Sequence, residues 1–155
     1  MEIRRAVPAD ADKILELLSQ VEQIHYLGRP DIFRPNGIKF TGDELTEQMS
    51  DDSRPIFVAV KDGEVVGYSF CIIGEIKDST MLNDAKTLHI EDVCVDENRR
   101  GENVGGELME FVKDYAKKIG CARVDLDVWE FNEGARRFYE KHGFKVQKRR
   151  MDIVL

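Results

Sequence analysis

A strand that runs into an arginine- and glycine-rich turn and then into an amphipathic helix constrains this chain more than any other stretch. It reads Val93-Cys94-Val95-Asp96-Glu97-Asn98-Arg99-Arg100-Gly101-Glu102-Asn103-Val104-Gly105-Gly106-Glu107-Leu108-Met109. The first turn of any helix leaves backbone N–H groups with no partner inside the helix. With the positive end of the helix dipole behind them, those donors suit a phosphate or pyrophosphate. The stretch is not a G-x-G-x-x-G dinucleotide fingerprint, and it lacks the Gly-Lys-Ser/Thr of a P-loop.

Hydrophobic spacing extends this unit into a single domain over 1–155. Ile3 and Arg5 alternate with Arg4 and Ala6 as a short first strand. Pro8 suits a first helical turn, and Asp10 adds negative charge there. Ile14, Leu17, Leu18, Val21 and Ile24 then predict a helix over 8–24. Gly28, Pro30, Pro35 and Gly37 break the following segment into a loop, after which Asp43 is placed to cap a short helix through Leu45 and Met49. Ile56–Val60, an Asp62-Gly63 turn and Val65–Ile73 read as a hairpin. After a polar loop over Lys77–Lys86, Leu88–Val95 is the next strand. The helix beyond the turn shows Val104, Leu108, Phe111, Val112, Tyr115 and Ile119 on one face, and Gly120 closes it. Val124–Trp129 predicts a strand, Asn132 caps a last helix ended by Gly143, and Phe144–Val146 and Met151–Leu155 supply final strands. The order describes an α/β (α+β) domain with one mixed sheet and helices on both faces.

Composition removes several function classes. The chain has 155 residues, 42% of them hydrophobic, enough for a real core. No apolar run approaches the roughly 20 residues a bilayer span needs, and no signal-peptide pattern opens the chain. No membrane association is expected. A formal charge of −7 argues against nucleic acid as a partner. Cys71, Cys94 and Cys121 are odd in number and widely spaced in apolar runs, so they read as small hydrophobes. Neither a disulfide framework nor a metal site is expected, and the chain is placed in the reducing cytoplasm.

A second block, Asn132-Glu133-Gly134-Ala135-Arg136-Arg137-Phe138-Tyr139-Glu140-Lys141-His142-Gly143-Phe144, narrows the phosphate ligand. With the first block it resembles the GNAT family of acyl-CoA-dependent N-acyltransferases. The family pattern R/Q-x-x-G-x-G/A falls on Arg100, Val104 and Gly105, with Asn103 where its first glycine stands. Asn tolerates a left-handed backbone better than other side chains, so the turn can keep its shape. The second signature, N-x-x-A-x-x-F-Y-x-x-x-G-F, is complete. The resemblance implies a mostly antiparallel sheet splayed at an acyl-CoA site. It further implies that N–H groups of Arg100, Gly101, Asn103, Val104, Gly105 and Gly106 hold the CoA pyrophosphate. Val93, Val95 and Asn132 would contact the pantetheine arm, and Arg136, with Arg137, would either reach the nucleotide phosphates or be solvated.

The implied reaction moves the acetyl group of acetyl-CoA to a primary amine of a small molecule or peptide, by direct attack in a ternary complex. An amine with pKa of about 10.4 costs roughly 4.6 kcal/mol to neutralise at pH 7. A proton acceptor and assistance to the leaving thiolate are therefore required. Glu91 is the first candidate base and His89 the second, on one face of the strand with Asp92 on the other; Asp127 is a further carboxylate. Tyr139 is the candidate acid at the sulfur. The resemblance also allows a homodimer. A non-catalytic acyl-CoA-binding or regulatory module of the same fold is the alternative.

Overall fold

The computed structural model describes residues 1–155 and joins five strands into one sheet in chain order. These are β1 (Glu2–Arg5), β2 (Ile56–Lys61), β3 (Glu64–Ile76), β4 (Ala85–Val95) and β5 (Arg123–Leu126). Strands β1 to β4 pair antiparallel, whereas β5 runs parallel to β4. Helices α1 (Ala11–Gly28), entered through a tight turn at Pro8–Asp10, and α2 (Gly42–Met49) cover one face. Helices α3 (Val104–Lys118) and α4 (Glu133–Lys141) cover the other. This is the mixed sheet with helices on both faces that the strand and helix order describes, and mostly antiparallel as the resemblance implies.

Helical spacing works because it aligns one apolar stripe per helix. Ile14, Leu17 and Leu18 of α1 and Leu45 and Met49 of α2 bury against Ile56, Val58, Tyr68 and Phe70. On the opposite face Met109, Val112 and Ala116 of α3 meet Phe57, Cys71, Leu88 and Ile90. Each fully buried Leu or Ile contributes about 1.5–3 kcal/mol relative to exposure. Buried Asp10 ties β1 to the entry of α1 through a bidentate pair with Arg4 at 2.7 and 3.0 Å and a bond from the Val7 N–H at 2.9 Å.

Several local expectations differ from the fold. Strand β3 runs past Ile73 to Ile76, and β4 starts at Ala85, inside the loop expected over Lys77–Lys86. Helix α1 runs one turn past residue 24, to Gly28. Thr41, not Asp43, caps α2: its hydroxyl accepts the Glu44 N–H at 3.3 Å while Glu44 accepts the Thr41 N–H at 2.8 Å, a reciprocal arrangement that satisfies two donors at once. Strand β5 ends at Leu126, short of Trp129. The expected last strands do not form, and Val146, Met151, Ile153, Val154 and Leu155 are exposed. Alternation prepares a strand, but only pairing makes one; here the segment joins neither open edge of the sheet, and Asp152 meets Arg29 at 2.7 Å.

The approach of β3 to β4 and α3 depends on a missing side chain at Gly67. A Cβ there would lie 2.9 Å from the Cys94 carbonyl oxygen and 3.2 Å from Val104 Cγ1. Gly67→Ala is expected to cost about 1–3 kcal/mol through overpacking. Urea unfolding should show a lower midpoint with an unchanged slope.

Candidate active site

The site begins with a break in the alternation of β4. Phe70 pairs with Asp92 and Cys71 with Ile90, leaving Glu91 as the extra residue of a β-bulge. Leu88 and Ile90 pack toward α3, whereas Cys94 beyond the bulge joins the core under α1. Glu91 and Asp92 consequently share the α1-side face and line one cleft together. Asp92 is therefore not on the opposite face from Glu91, as strict alternation predicts, because an inserted residue flips every position after it.

The cleft has a volume of about 760 Å³, and Glu22, His25, Phe33, Arg34, Lys39 and Trp129 also line it. The side chain of Asp92 is only 9% exposed. Burial pushes its carboxyl above the usual range, opposed by the Lys39 charge, and the Tyr68 hydroxyl donates to it at 3.3 Å. Glu91 is more open and faces Arg54 at 3.4 Å and Lys39 at 3.8 Å. His89 has a partner of its own: its Nδ1 is 2.7 Å from Asp125 Oδ1, directly across the β4–β5 ladder. Asp127 is exposed past the end of β5.

The sheet opens beside the bulge. Pairing of β4 with β5 ends at Ile90 and Leu126, while β4 continues to Val95. The Asp96 N–H donates to the Val66 carbonyl at 2.9 Å on the β3 side. Alternation then turns the backbone groups of Val93 and Val95 toward the unpaired edge. Aromatic packing draws the chain away after Leu126: Trp129 stands edge-on to Phe33 at 5.4 Å, and Phe33 stacks on His25 at 5.0 Å. Trp129 also stacks on Phe131 at 5.9 Å. Gly28 gives Phe131 its seat, since a Cβ there would overlap the ring.

At the far end of the open edge lies the turn. Gly101 has φ +86° and Asn103 has φ 60° and ψ 15°, so the asparagine takes the left-handed conformation of the motif glycine. No backbone N–H from Arg100 to Asn103 donates to a backbone oxygen, and those of Val104, Gly105 and Gly106 fall in the first helical turn, where no intrahelical acceptor exists. The Asn103 side chain lies over Gly106, in a groove shared with Met1 and Ile3. Asn103→Ala is expected to lose about 1 kcal/mol from the left-handed backbone, and Asn103→Gly to lose none of it. Chemical denaturation of the two variants checks the difference.

The second block places α4 against this turn. A Cβ on Gly105 would lie 3.3 Å from the Phe138 ring and 3.4 Å from Val95 Cγ2, so the glycine sets how closely α3, α4 and β4 meet. Asn132 accepts the Ala135 N–H at 3.1 Å and caps α4. Arg100 is exposed; Arg136 is held by the Glu130 carboxylate at 3.1 Å, and Arg137 pairs loosely with Glu133 at 3.7 Å in solvent. The Tyr139 ring packs between Phe138 and Phe144 at 5.4 and 5.8 Å. Its hydroxyl has no hydrogen bond within the protein, and burial followed by the Asp92 charge pushes the phenol up to about 12. Burial also pushes the Cys71 and Cys94 thiols up to about 12, which leaves neither poised as a nucleophile. No group of three or more His, Cys, Asp or Glu side chains is arranged to hold a metal ion, and no helix is long and apolar enough to cross a membrane.

The fold, the splayed edge and the two blocks together define an acyltransferase class of site. The chain belongs to the acetyltransferase (GNAT) family, whose model matches residues 21–144. Among its relatives, a glucosamine 6-phosphate N-acetyltransferase of Dictyostelium discoideum is 31% identical over 122 residues, covering 76% of this chain and 75% of the relative. The enzyme of that name from Arabidopsis thaliana is 41% identical over 68 residues, so the match spans 44% of each chain, less than half of that relative's length. The solved structure of a tetramutant of the BH1408 protein from Bacillus halodurans is 32% identical, with a TM-score of 0.95 and 100% of both chains covered.

Proposed function

We propose that this chain transfers the acetyl group of acetyl-CoA to a primary amine of a small molecule, by direct attack in a ternary complex. The observation that carries the reading is the Glu91–Asp92 pair, brought onto one face by the bulge and set beside an unpaired β4 edge. That edge suits the amides of a pantetheine arm, added like a further strand through Val93 and Val95. The unbonded N–H groups of Arg100, Gly101, Asn103, Val104, Gly105 and Gly106 suit the pyrophosphate at the other end. Asn132, whose side chain caps α4, remains the candidate for the pantetheine arm, and Arg136 would have to leave Glu130 to serve a phosphate.

Chemistry follows from the two carboxylates. The more open Glu91 orients the incoming ammonium, and the buried Asp92, its carboxyl raised, accepts a proton from it. The neutral nitrogen attacks the thioester carbonyl, and the Tyr139 phenol donates a hydrogen bond to the departing sulfur. His89 is assigned to the ladder with Asp125 rather than to proton transfer. Three carboxylates and Arg34 in one cleft suit an amine that also bears an anionic group. Glucosamine 6-phosphate, named in the relatives, fits that description and is the first acceptor to try.

Calorimetric titration with acetyl-CoA, controlled by CoA and 3′-dephospho-CoA, tests the cofactor half of the reading. Low-micromolar affinity is expected, followed by thiol release when the acceptor is added. Absence of binding at millimolar acetyl-CoA would overturn the acetyltransferase reading.

A further inference from the structure

We propose that Lys39 is itself an acceptor, so that without an external amine the protein acetylates its own Lys39 Nζ. The inference rests on the acetyltransferase reading above. Lys39 Nζ stands 3.8 Å from Glu91 Oε1 and 3.7 Å from Asp92 Oδ2. Those are the two carboxylates that an acceptor amine must meet, and a lysine Nζ is a primary amine. Its ammonium also lies 5.8 and 5.6 Å from the ring centres of Phe40 and Phe70, which hold the side chain in the cleft by cation–π attraction.

Two further observations favour Lys39 over other lysines. Both carboxylate distances exceed hydrogen-bond length, so the ammonium is gathered by charge and is free to turn toward the open β4 edge. Lys61, Lys113 and Lys117 are instead bonded to Glu102, Glu110 and Asp114 at 2.7, 2.6 and 3.0 Å, none of which lines the cleft. The segment bearing Lys39 is lightly tethered as well. Between Arg29 and Phe40 the backbone bonds are those of Ile32 and Phe33 to Arg29 and of Gly37 to Arg34.

The step balances with acetyl-CoA as the only co-reactant. The ammonium gives one proton to Asp92, from which it passes to solvent. The nitrogen lone pair attacks the thioester carbonyl carbon, a C–N bond forms and the C–S bond breaks. Its electron pair leaves with the sulfur, hydrogen-bonded by Tyr139, and the second nitrogen proton converts the thiolate to thiol. The product is a neutral acetyl-lysine that no longer bridges Glu91 and Asp92.

The test incubates the full chain with acetyl-CoA alone and follows each lysine by peptide mass spectrometry. Lys39 should gain one acetyl group about 100-fold faster than Lys77 or Lys117, as expected when positioning replaces random encounter. The fraction of Lys39 acetylated per unit time should not depend on protein concentration, should fall in Asp92→Asn, and should fall when an acceptor amine competes. Lys39→Arg should lack that site of modification. Acetylation of Lys39 no faster than of Lys77, in protein that binds acetyl-CoA and turns over an external amine, overturns this inference and leaves the parent reading standing. A fractional rate that rises in proportion to protein concentration overturns transfer within one molecule. Failure to bind acetyl-CoA overturns both readings.

Discussion

Asp92→Asn should lower kcat/KM for amine acetylation by about 10²- to 10⁴-fold, the usual contribution of a positioned general base. Asparagine keeps the size of the side chain and an oxygen for the Tyr68 hydroxyl, but it has no site for the proton. Glu91→Gln should cost less in kcat and more in KM, because Glu91 is more exposed and its task is to orient the amine. The pH profile separates the two roles. Wild-type protein should lose rate on the acidic side as Asp92 takes up a proton at its raised pKa, and Asp92→Asn should lack that limb.

Stability should move the other way. The folded-state pKa of Asp92 lies above its unfolded value, so the folded state binds the proton more tightly. Its contribution is therefore favourable at acidic pH and is lost as pH rises through the raised value. Asparagine escapes that loss, and Asp92→Asn should melt no lower than wild type at neutral pH. An unchanged rate in both Asp92→Asn and Glu91→Gln would sink the assignment of this pair.

Most of the fold could be read from periodicity because apolar stripes decide which face of an element is buried. The stripe of Ile14, Leu17 and Leu18 and the Asp62-Gly63 hairpin are of this kind. The shape of the turn before α3 is also readable, since unpaired first-turn donors follow from helix geometry, and Asn103 adopts the left-handed backbone expected of it. What pattern could not reveal were features set by register and by distant partners. The bulge at Glu91 exists because β3 and β4 pair with one residue mismatched, and that register is a property of both strands rather than of β4 alone. Two consecutive carboxylates within the strand are the available signal, and alternation alone reads them as lying on opposite faces. The end of β5 depends on Trp129 finding Phe33 more than ninety residues earlier in the chain. The missing last strands are a further case: the alternation is there, but the segment pairs with neither open edge of the sheet, and Asp152 meets the distant Arg29 instead.

Tyr139→Phe should reduce kcat by about 10- to 150-fold, corresponding to loss of a hydrogen bond of roughly 1.5–3 kcal/mol to a charged group. That is smaller than the Asp92 effect, and the reason lies in relative acidity. The phenol, at about 12, is a weaker acid than an ordinary thiol near 8.5, by about 3.5 units or roughly 4.8 kcal/mol. Complete proton transfer from Tyr139 to the thiolate is therefore uphill, and the phenol acts by stabilising charge as it develops on sulfur. Phenylalanine keeps the contacts with Phe138 and Phe144, and the deleted hydroxyl has no protein partner to abandon. Unfolding midpoint and acetyl-CoA affinity should accordingly stay near wild type while turnover falls. Since the phenol retains its proton until about 12, the wild-type profile should show no descending limb from Tyr139 at neutral or mildly alkaline pH. A fall in kcat confined to poor leaving groups, tested with thioesters of graded thiol pKa, would place the hydroxyl at the sulfur. A loss equal for all thioesters would remove it from the leaving group and return Tyr139 to packing.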